Sequence, residues 1–308
     1  MDVKHRIELG LVLLARLLDR WLGAERSGRL AAALGRFAYR RLRIRADVAE
    51  EQLRRAFPER DEAWVRRTAE ASYEHLGREG MAMLRLSRQG KDEVLAATEV
   101  EGLDALREAV ETGRGAIIMT GHFGNWEIGG AALAARGIPV DVVARRQKNP
   151  HVDRLINEAR SRLGMTVIRQ GGATRAALRS LRKGRAVALV ADQDARRRGV
   201  FVDFFGRPAS THRGPAVLAL RTGAPVFMGT AARRPGGGYR VRVARVPIPA
   251  GDDPDQRADR LTAGLTAALE SAIRDAPGQY LWQHRRWKTA PAAGATAAGR
   301  NGGTLPPV

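Results

Sequence analysis

The feature that most constrains this chain is an alternation that begins after about Glu99. Short β-rich runs at 116–120, 140–143, 165–168 and 186–190 take turns with helical stretches near 125–136, 150–163 and 173–182. Gly113, Gly137, Gly164 and Gly184 punctuate the boundaries, where the chain must turn. Strands separated by helices cannot pair as hairpins, so the pattern predicts an α/β fold: a central, mostly parallel sheet flanked by helices. Two further strands, 225–232 and 239–246, flank Gly236-Gly237-Gly238 and read as a hairpin, and a last helix is expected over 254–274.

The residues before this alternation read differently. From 26 to 88 glycines are few and apolar residues recur at helical spacing, with a break at Phe57-Pro58 and a cap at Asp61 for the helix that follows. On a helix over 1–22, Val3, Ile7, Leu11, Leu14, Leu18, Trp21 and Leu22 share one face. Arg16, Asp19 and Arg20 interrupt the segment too often for a comfortable membrane span, and no small-residue cleavage site follows it. It reads as an amphipathic helix lying in a membrane interface, with a core-packing helix as the alternative. The resulting plan is an interface helix over 1–24, a helical part over 25–98, an α/β core over 99–289 and a disordered tail over 290–308 rich in Ala, Gly, Thr and Pro.

Charge narrows the partners. Fifty-three Lys and Arg against 33 Asp and Glu leave a formal +20, which favours contact with an anionic surface, an acidic protein or nucleic acid. A genome that prefers arginine is the plain alternative for the same excess. Aromatic residues make up only 5% of the chain and no nucleic-acid-binding module is present, which argues against specific nucleic-acid recognition. Cysteine is absent, which excludes disulfides, a thiol nucleophile and thiolate metal sites; an acid-x-acid pair such as Asp192 and Asp194 is too common to imply a metal, and no metal site is expected.

One segment carries chemistry. The run 116–120 empties into Gly121-His122-Phe123-Gly124-Asn125-Trp126-Glu127, which places His122 at the carboxyl edge of the sheet, where open α/β sheets bind ligands. Asn125 suits the cap of the next helix and puts Glu127 in its first turn. A carboxylate on one imidazole nitrogen fixes the tautomer and leaves the other nitrogen as a base. Gly121 and Gly124 would let a substrate approach the backbone, and amides at the helix start can hold an oxyanion.

Thr120 to Glu127, with a histidine and an acid separated by four residues, resembles the signature of the lysophospholipid-acyltransferase superfamily, and in its details the lipid A biosynthesis lauroyl/myristoyl acyltransferases. Further segments carry the likeness: Phe57-Pro58-Glu59, Ala144-Arg145 with Asn149-Pro150, Asp192-Gln193-Asp194, Val200 to Gly206, and Leu281-Trp282-Gln283-His284-Arg285-Arg286-Trp287-Lys288. It runs from about residue 5 to 289. Arg145-Arg146 stands where the family usually has Arg-Pro, Glu50-Glu51-Gln52-Leu53 replaces its usual asparagine region, and the N-terminal anchor is more charged than is typical.

The resemblance implies an O-acyltransferase at the cytoplasmic face of the inner membrane that moves a fatty acyl chain from an acyl carrier protein thioester, or acyl-CoA, to a hydroxyl of a lipid A precursor. It implies no cofactor beyond the donor. His122 would be the base, Glu127 its orienting acid, Arg145 an oxyanion or phosphate clamp, and Asp192 a partner of Arg145 or a support for the base. Gly121, Phe123, Asn125, Trp126 and Asp194 would meet substrate. Phe201, Phe204 and Phe205 would wall an acyl tunnel, with plain core as the alternative, and His284, Arg285, Arg286 and Lys288 would hold phosphate. The anionic glycolipid, the acidic carrier protein and the membrane surface are the implied partners. An acyl-CoA-dependent phosphatidylinositol mannoside acyltransferase is the related alternative, and a non-enzymatic anionic-surface or nucleic-acid-binding protein the alternative of another class. His5, His75 and His151 have no role in this reading.

Overall fold

The computed structural model describes residues 3–291, so most of the tail expected to be disordered lies outside the described residues. Four helices come first: α1 (Val3–Arg40), α2 (Ala46–Ala56), α3 (Glu62–Leu86) and α4 (Lys91–Ala97). The α1 helix is not one straight rod. Gly23, with φ +75°, kinks it near the boundary expected at residue 24. As expected, α2 stops before Phe57-Pro58, and Asp61 caps α3 by accepting from the amide of Trp64 at 2.6 Å.

The remainder alternates strand and helix: β1 (Thr98–Glu101), α5 (Leu103–Glu111), β2 (Ala116–Thr120), α6 (Trp126–Ala135), β3 (Val140–Ala144), α7 (Pro150–Arg162), β4 (Thr166–Arg169), α8 (Ala173–Leu181) and β5 (Ala186–Val190). A two-stranded hairpin of β6 (Val200–Phe204) and β7 (Arg207–Thr211) follows, then α9 (Gly214–Thr222), β8 (Val226–Arg233), β9 (Tyr239–Val246) and α10 (Pro254–Asp275). The main sheet runs in the order β1-β9-β8-β2-β5-β3-β4. From β8 to β4 every neighbouring pair is parallel; β9 is antiparallel to β8 and parallel to β1.

Parallel strands need both faces covered, and here they have it. One apolar core lies towards α8, α9 and α10 and takes in Leu181, Leu218 and Leu265; the other lies towards α4, α5 and α6 and takes in Val94, Leu106 and Ile128. Gly113, Gly137, Gly164 and Gly184 all adopt positive φ, the conformation that suits glycine at a turn between strand and helix.

Two questions left open by the sequence can be answered from burial. Phe204 and Phe205 are buried, in a cluster with Phe57, Tyr280 and Trp282, so they are core and not the wall of an open tunnel. A two-stranded hairpin has little core of its own, and this one obtains it by packing Phe205 against Phe57 and Trp282 and Phe204 against Tyr280 and Trp287. The apolar face of the first 22 residues, for its part, does not pack into the core: Val3, Ile7, Leu11, Leu14 and Trp21 are exposed, Trp21 at 83%.

Candidate active site

Strand register assembles the site. In the β2–β5 ladder Thr120 stands opposite Val190. Two residues past each, beyond the carboxyl ends of the strands, come His122 and Asp192. Asp192 accepts twice from one residue: from the backbone amide of His122 at 2.9 Å and from its Nδ1 at 2.7 Å. An ionised carboxylate can only accept, so Nδ1 carries the hydrogen and Nε2 is left as the basic nitrogen. Burial alone would depress the imidazole. The charge and hydrogen bond of Asp192 outweigh it, and His122 is raised above its ordinary 6.5. For Asp192, which is almost fully buried, desolvation pushes upward, but His122 and then Arg286 hold its carboxyl below the ordinary range.

Glu127 does not orient His122. The α6 helix turns its carboxylate towards α7, where Arg160 grips it with both arms of the guanidinium, Nε to Oε2 at 2.9 Å and Nη2 to Oε1. Asp192 occupies the position on the imidazole that the spacing had suggested for Glu127, because pairing between neighbouring strands brings it closer than a helix turn can. Nor does Asp192 pair with Arg145, which is exposed at the rim.

The loop that carries His122 is pinned from several sides. Leu281 donates its amide to the His122 carbonyl at 3.1 Å, the Gly124 amide donates to Gln279 at 2.9 Å, and the Asn125 amide donates to Ala231 at 2.8 Å. Asn125 caps α6 through Ile128 and donates Nδ2 to Glu79 at 2.7 Å. The buried Glu79, from α3, also accepts from Tyr239 at 2.7 Å and from Arg233 at 2.5 Å. His75, one helical turn earlier, reaches the Gly124 carbonyl at 3.3 Å. Glu79, His75 and Arg160 were not singled out from sequence, and nothing local marks them among so many charged residues. Only the fold brings α3 and α7 to this loop.

Several expected substrate contacts are structural instead. A side chain on Gly121 would collide with Leu269 at 2.7 Å and one on Gly124 with the Ala231 carbonyl at 2.0 Å, so both glycines serve close packing within the protein. Phe123 and Asn125 are buried, Phe123 in the core and Asn125 in the cap. Asp194 accepts from Thr289 at 3.0 Å and its amide donates to Nε2 of His284 at 3.1 Å. His284 is thus an acceptor, and burial lowers its affinity for a proton, so it offers no charge to a phosphate. Arg286, only 2% exposed, donates to the Ser210 carbonyl and to Thr211, and lies over the Phe204 ring; it is out of a lipid's reach. Arg285 and Lys288 are exposed, while Phe201 is half-buried and lies away from the cavity described next.

That cavity, about 570 Å³, opens at His122. Its rim is polar, with Thr120, Arg145, Gln147, Gln193 and His212; its depth is apolar, with Ile118, Leu133, Val140, Val142 and Met165. Trp126 stands edge-on to the imidazole, with ring centroids 4.9 Å apart, and Glu127 and Arg160 lie in the wall. A base beside a narrow apolar chamber suits a substrate with a polar reacting end and a long hydrocarbon.

Residues 7–289 match the family described as bacterial lipid A biosynthesis acyltransferase. The chain belongs to this family. Its members' names agree with the site: the chain is 30% identical over 270 residues to the lipid A biosynthesis lauroyltransferase of Escherichia coli K12, covering 85% of each chain. The palmitoleoyltransferase of the same organism is 29% identical over 268 residues, again 85% of each. A phosphatidylinositol mannoside acyltransferase of Mycobacterium tuberculosis CDC 1551 is 32% identical over 220 residues, 70% of this chain and 66% of that one. This lipid A acyltransferase homologue is therefore an acyltransferase, which sets aside the non-enzymatic reading of its charge. No helix among the described residues is long and apolar enough to cross a membrane.

Proposed function

We propose that the protein transfers a fatty acyl chain from a carrier thioester to a hydroxyl of a lipid A precursor at a membrane surface. The observation that carries this is the His122–Asp192 pair at the mouth of an apolar chamber. The acyl chain enters the chamber, which brings the thioester carbonyl to the rim. Nε2 of His122 takes the proton of the acceptor hydroxyl as its oxygen attacks that carbonyl. The new C–O ester bond forms, the C–S bond breaks, and the departing thiolate recovers the proton from His122. Asp192 keeps Nδ1–H in place and stabilises the transient imidazolium, help worth about 10²–10⁴ in rate. Donor and acceptor supply every atom of the products, so the reaction requires no cofactor.

Arg145, at the rim, is placed to meet the anionic glycolipid, and Arg285 and Lys288 add exposed positive charge. The exposed apolar row from Val3 to Trp21 is suited to lie in the membrane interface. Asn149 supports this arrangement: its Nδ2 donates to the His5 carbonyl at 2.9 Å and to Glu8 at 3.0 Å, tying the start of α1 to the loop that carries Arg145. Acceptor and chamber mouth then share one face of the molecule. An acidic carrier protein would find the +20 surface complementary.

The mycobacterial relatives favour a second acceptor, a phosphatidylinositol mannoside, because their identity to this chain is somewhat higher over a shorter stretch, and acyl-CoA is the donor that reading would use. Both readings are tested by one assay. Carrier-protein and CoA thioesters are offered with each glycolipid in mixed micelles, and acylated product is followed by mass spectrometry. Turnover of the lipid A precursor that disappears in His122→Ala, with the fold intact by circular dichroism, is the expected result. A His122→Ala protein that keeps most of its activity would refute the assignment of the base.

A further inference from the structure

Gly130 has no evident backbone reason to be glycine. It lies inside α6, not at its end, and its φ is not in the left-handed region. Glycine in a helix interior is less stable than alanine, so something else must account for it. Its neighbour Gly129 faces the sheet, where a Cβ would lie 3.2 Å from the Cβ of Ala231 on β8. A Cβ on Gly130 would have only Met165 Sδ at 3.0 Å and Val142 Cγ1 at 4.0 Å within 4 Å, and Gly130 lines the cavity. A side chain at this position would grow into the chamber itself.

Register gives the depth. Thr166 pairs with Asp141, so Met165 is level with Val140; Val140 pairs with Ala186, and Ala186 with Ala116. Met165 therefore lies four residues below Thr120, about 13 Å down the sheet from the rim at about 3.3 Å per residue. Beyond it is a second, small cavity of about 20 Å³, reaching to Leu155 and Leu163. Met83, Ile156 and Met165 line both spaces, and the unbranched thioether of Met165 is the adaptable part of the partition.

We infer that Met165 and Gly130 together set the longest acyl chain this protein accepts: Met165 closes the deep end, and the missing side chain of Gly130 keeps the way to it open. This rests on the acyl-transfer reading above. A hydrocarbon passing Gly130 ends against the methionine, and shortening that side chain joins the small cavity to the large one.

The test offers the full chain a series of saturated carrier-protein thioesters of graded length with one glycolipid acceptor. Gly130→Val should keep turnover of short thioesters and move the optimum to shorter chains, with kcat/KM falling about 10-fold or more per methylene beyond the new limit. Met165→Ala should move the optimum to longer chains, and in the Gly130→Val background should recover part of the lost length. Gly130→Ala, the milder change, should show the first shift in the same direction. In parallel, binding of free fatty acids of graded length reads chamber depth without turnover. No transfer from any thioester, with binding that still depends on length and shifts in the variants, would sink the acyl-transfer reading and leave this inference standing. Folded variants whose length profiles for both transfer and binding match the wild type would overturn the inference.

Discussion

Two carboxylates accompany His122, one beyond the neighbouring strand and one in its own motif, and they are held in different ways. Asp192 comes from beyond the next strand, is almost fully buried, and accepts two hydrogen bonds from His122. Glu127 lies in the same short motif as His122, yet its oxygens go to Arg160 on the far side of the chamber. One acid sits on a proton-transferring group and the other on a cation with no ordinary proton to give. The contrast teaches that proximity in sequence marks out a neighbourhood, while strand register decides who pairs with whom.

Removing the charge at Asp192 should break the contrast most severely. Asp192→Asn keeps an acceptor but loses the carboxylate that stabilises the imidazolium, and kcat should fall by about 10²–10⁴. The pH profile gives the direction. In the wild type His122 is raised above 6.5, and as a base it works when neutral, so activity should climb with pH through an inflection above that value. In Asp192→Asn only burial remains to act on the imidazole, and the inflection should move to lower pH. An unmoved inflection, followed by initial rates across pH, would mean that His122 is not the titrating base. Stability follows the same linkage. The raised histidine contributes below its unfolded pKa and loses that contribution as pH rises through its folded one. The depressed Asp192 contributes above its unfolded pKa and loses it as pH falls through its folded one, so the pair stabilises the fold most in the interval between them.

Glu127→Ala should act on the other side of the comparison. It leaves Arg160 without its partner in a site that is mostly closed to water, a loss of about 3–5 kcal/mol for a buried pair. Urea unfolding should show the drop, while the pH inflection of any residual activity stays where His122 sets it. A shift as large as that of Asp192→Asn would mean the two acids share one task. The smallest effect on activity is expected at a third buried acid, Glu79, which touches the imidazole only through Asn125 and the loop. Glu79→Gln weakens charged hydrogen bonds worth about 1.5–3 kcal/mol each, so the unfolding midpoint should fall while the pH profile again stays put.

Much of this was legible in the sequence. Glycine punctuation and apolar runs located β2, β3, β5 and α10 to within a residue or so, because buried parallel strands leave a plain signature. Short elements escaped: β1 has four residues, α5 nine, and neither carries a strong pattern. For the phenylalanines of 201–205 the sequence offered both tunnel and core, since a cluster of aromatics does not say whether it faces a ligand or the Trp282 core. Asp192 was read as a partner of Arg145 or a support for the base; the structure takes the second, and counting two residues past a paired Thr120 and Val190 would have chosen it. Arg160, Glu79 and His75 were beyond reach, being 33 or more residues from the motif residues they touch.

Gly124 shows what this geometry means over evolutionary time. Its backbone is left-handed, with φ +58°, and the Ala231 carbonyl stands 2.0 Å from where a Cβ would begin. Every single-base change that replaces this glycine adds at least that carbon, so drift at this codon meets a barrier before any question of activity arises. Invariance here would be the signature of a strand lying against a loop. Surveys that take the whole motif as a record of reaction chemistry would credit to the reaction a constraint imposed by packing.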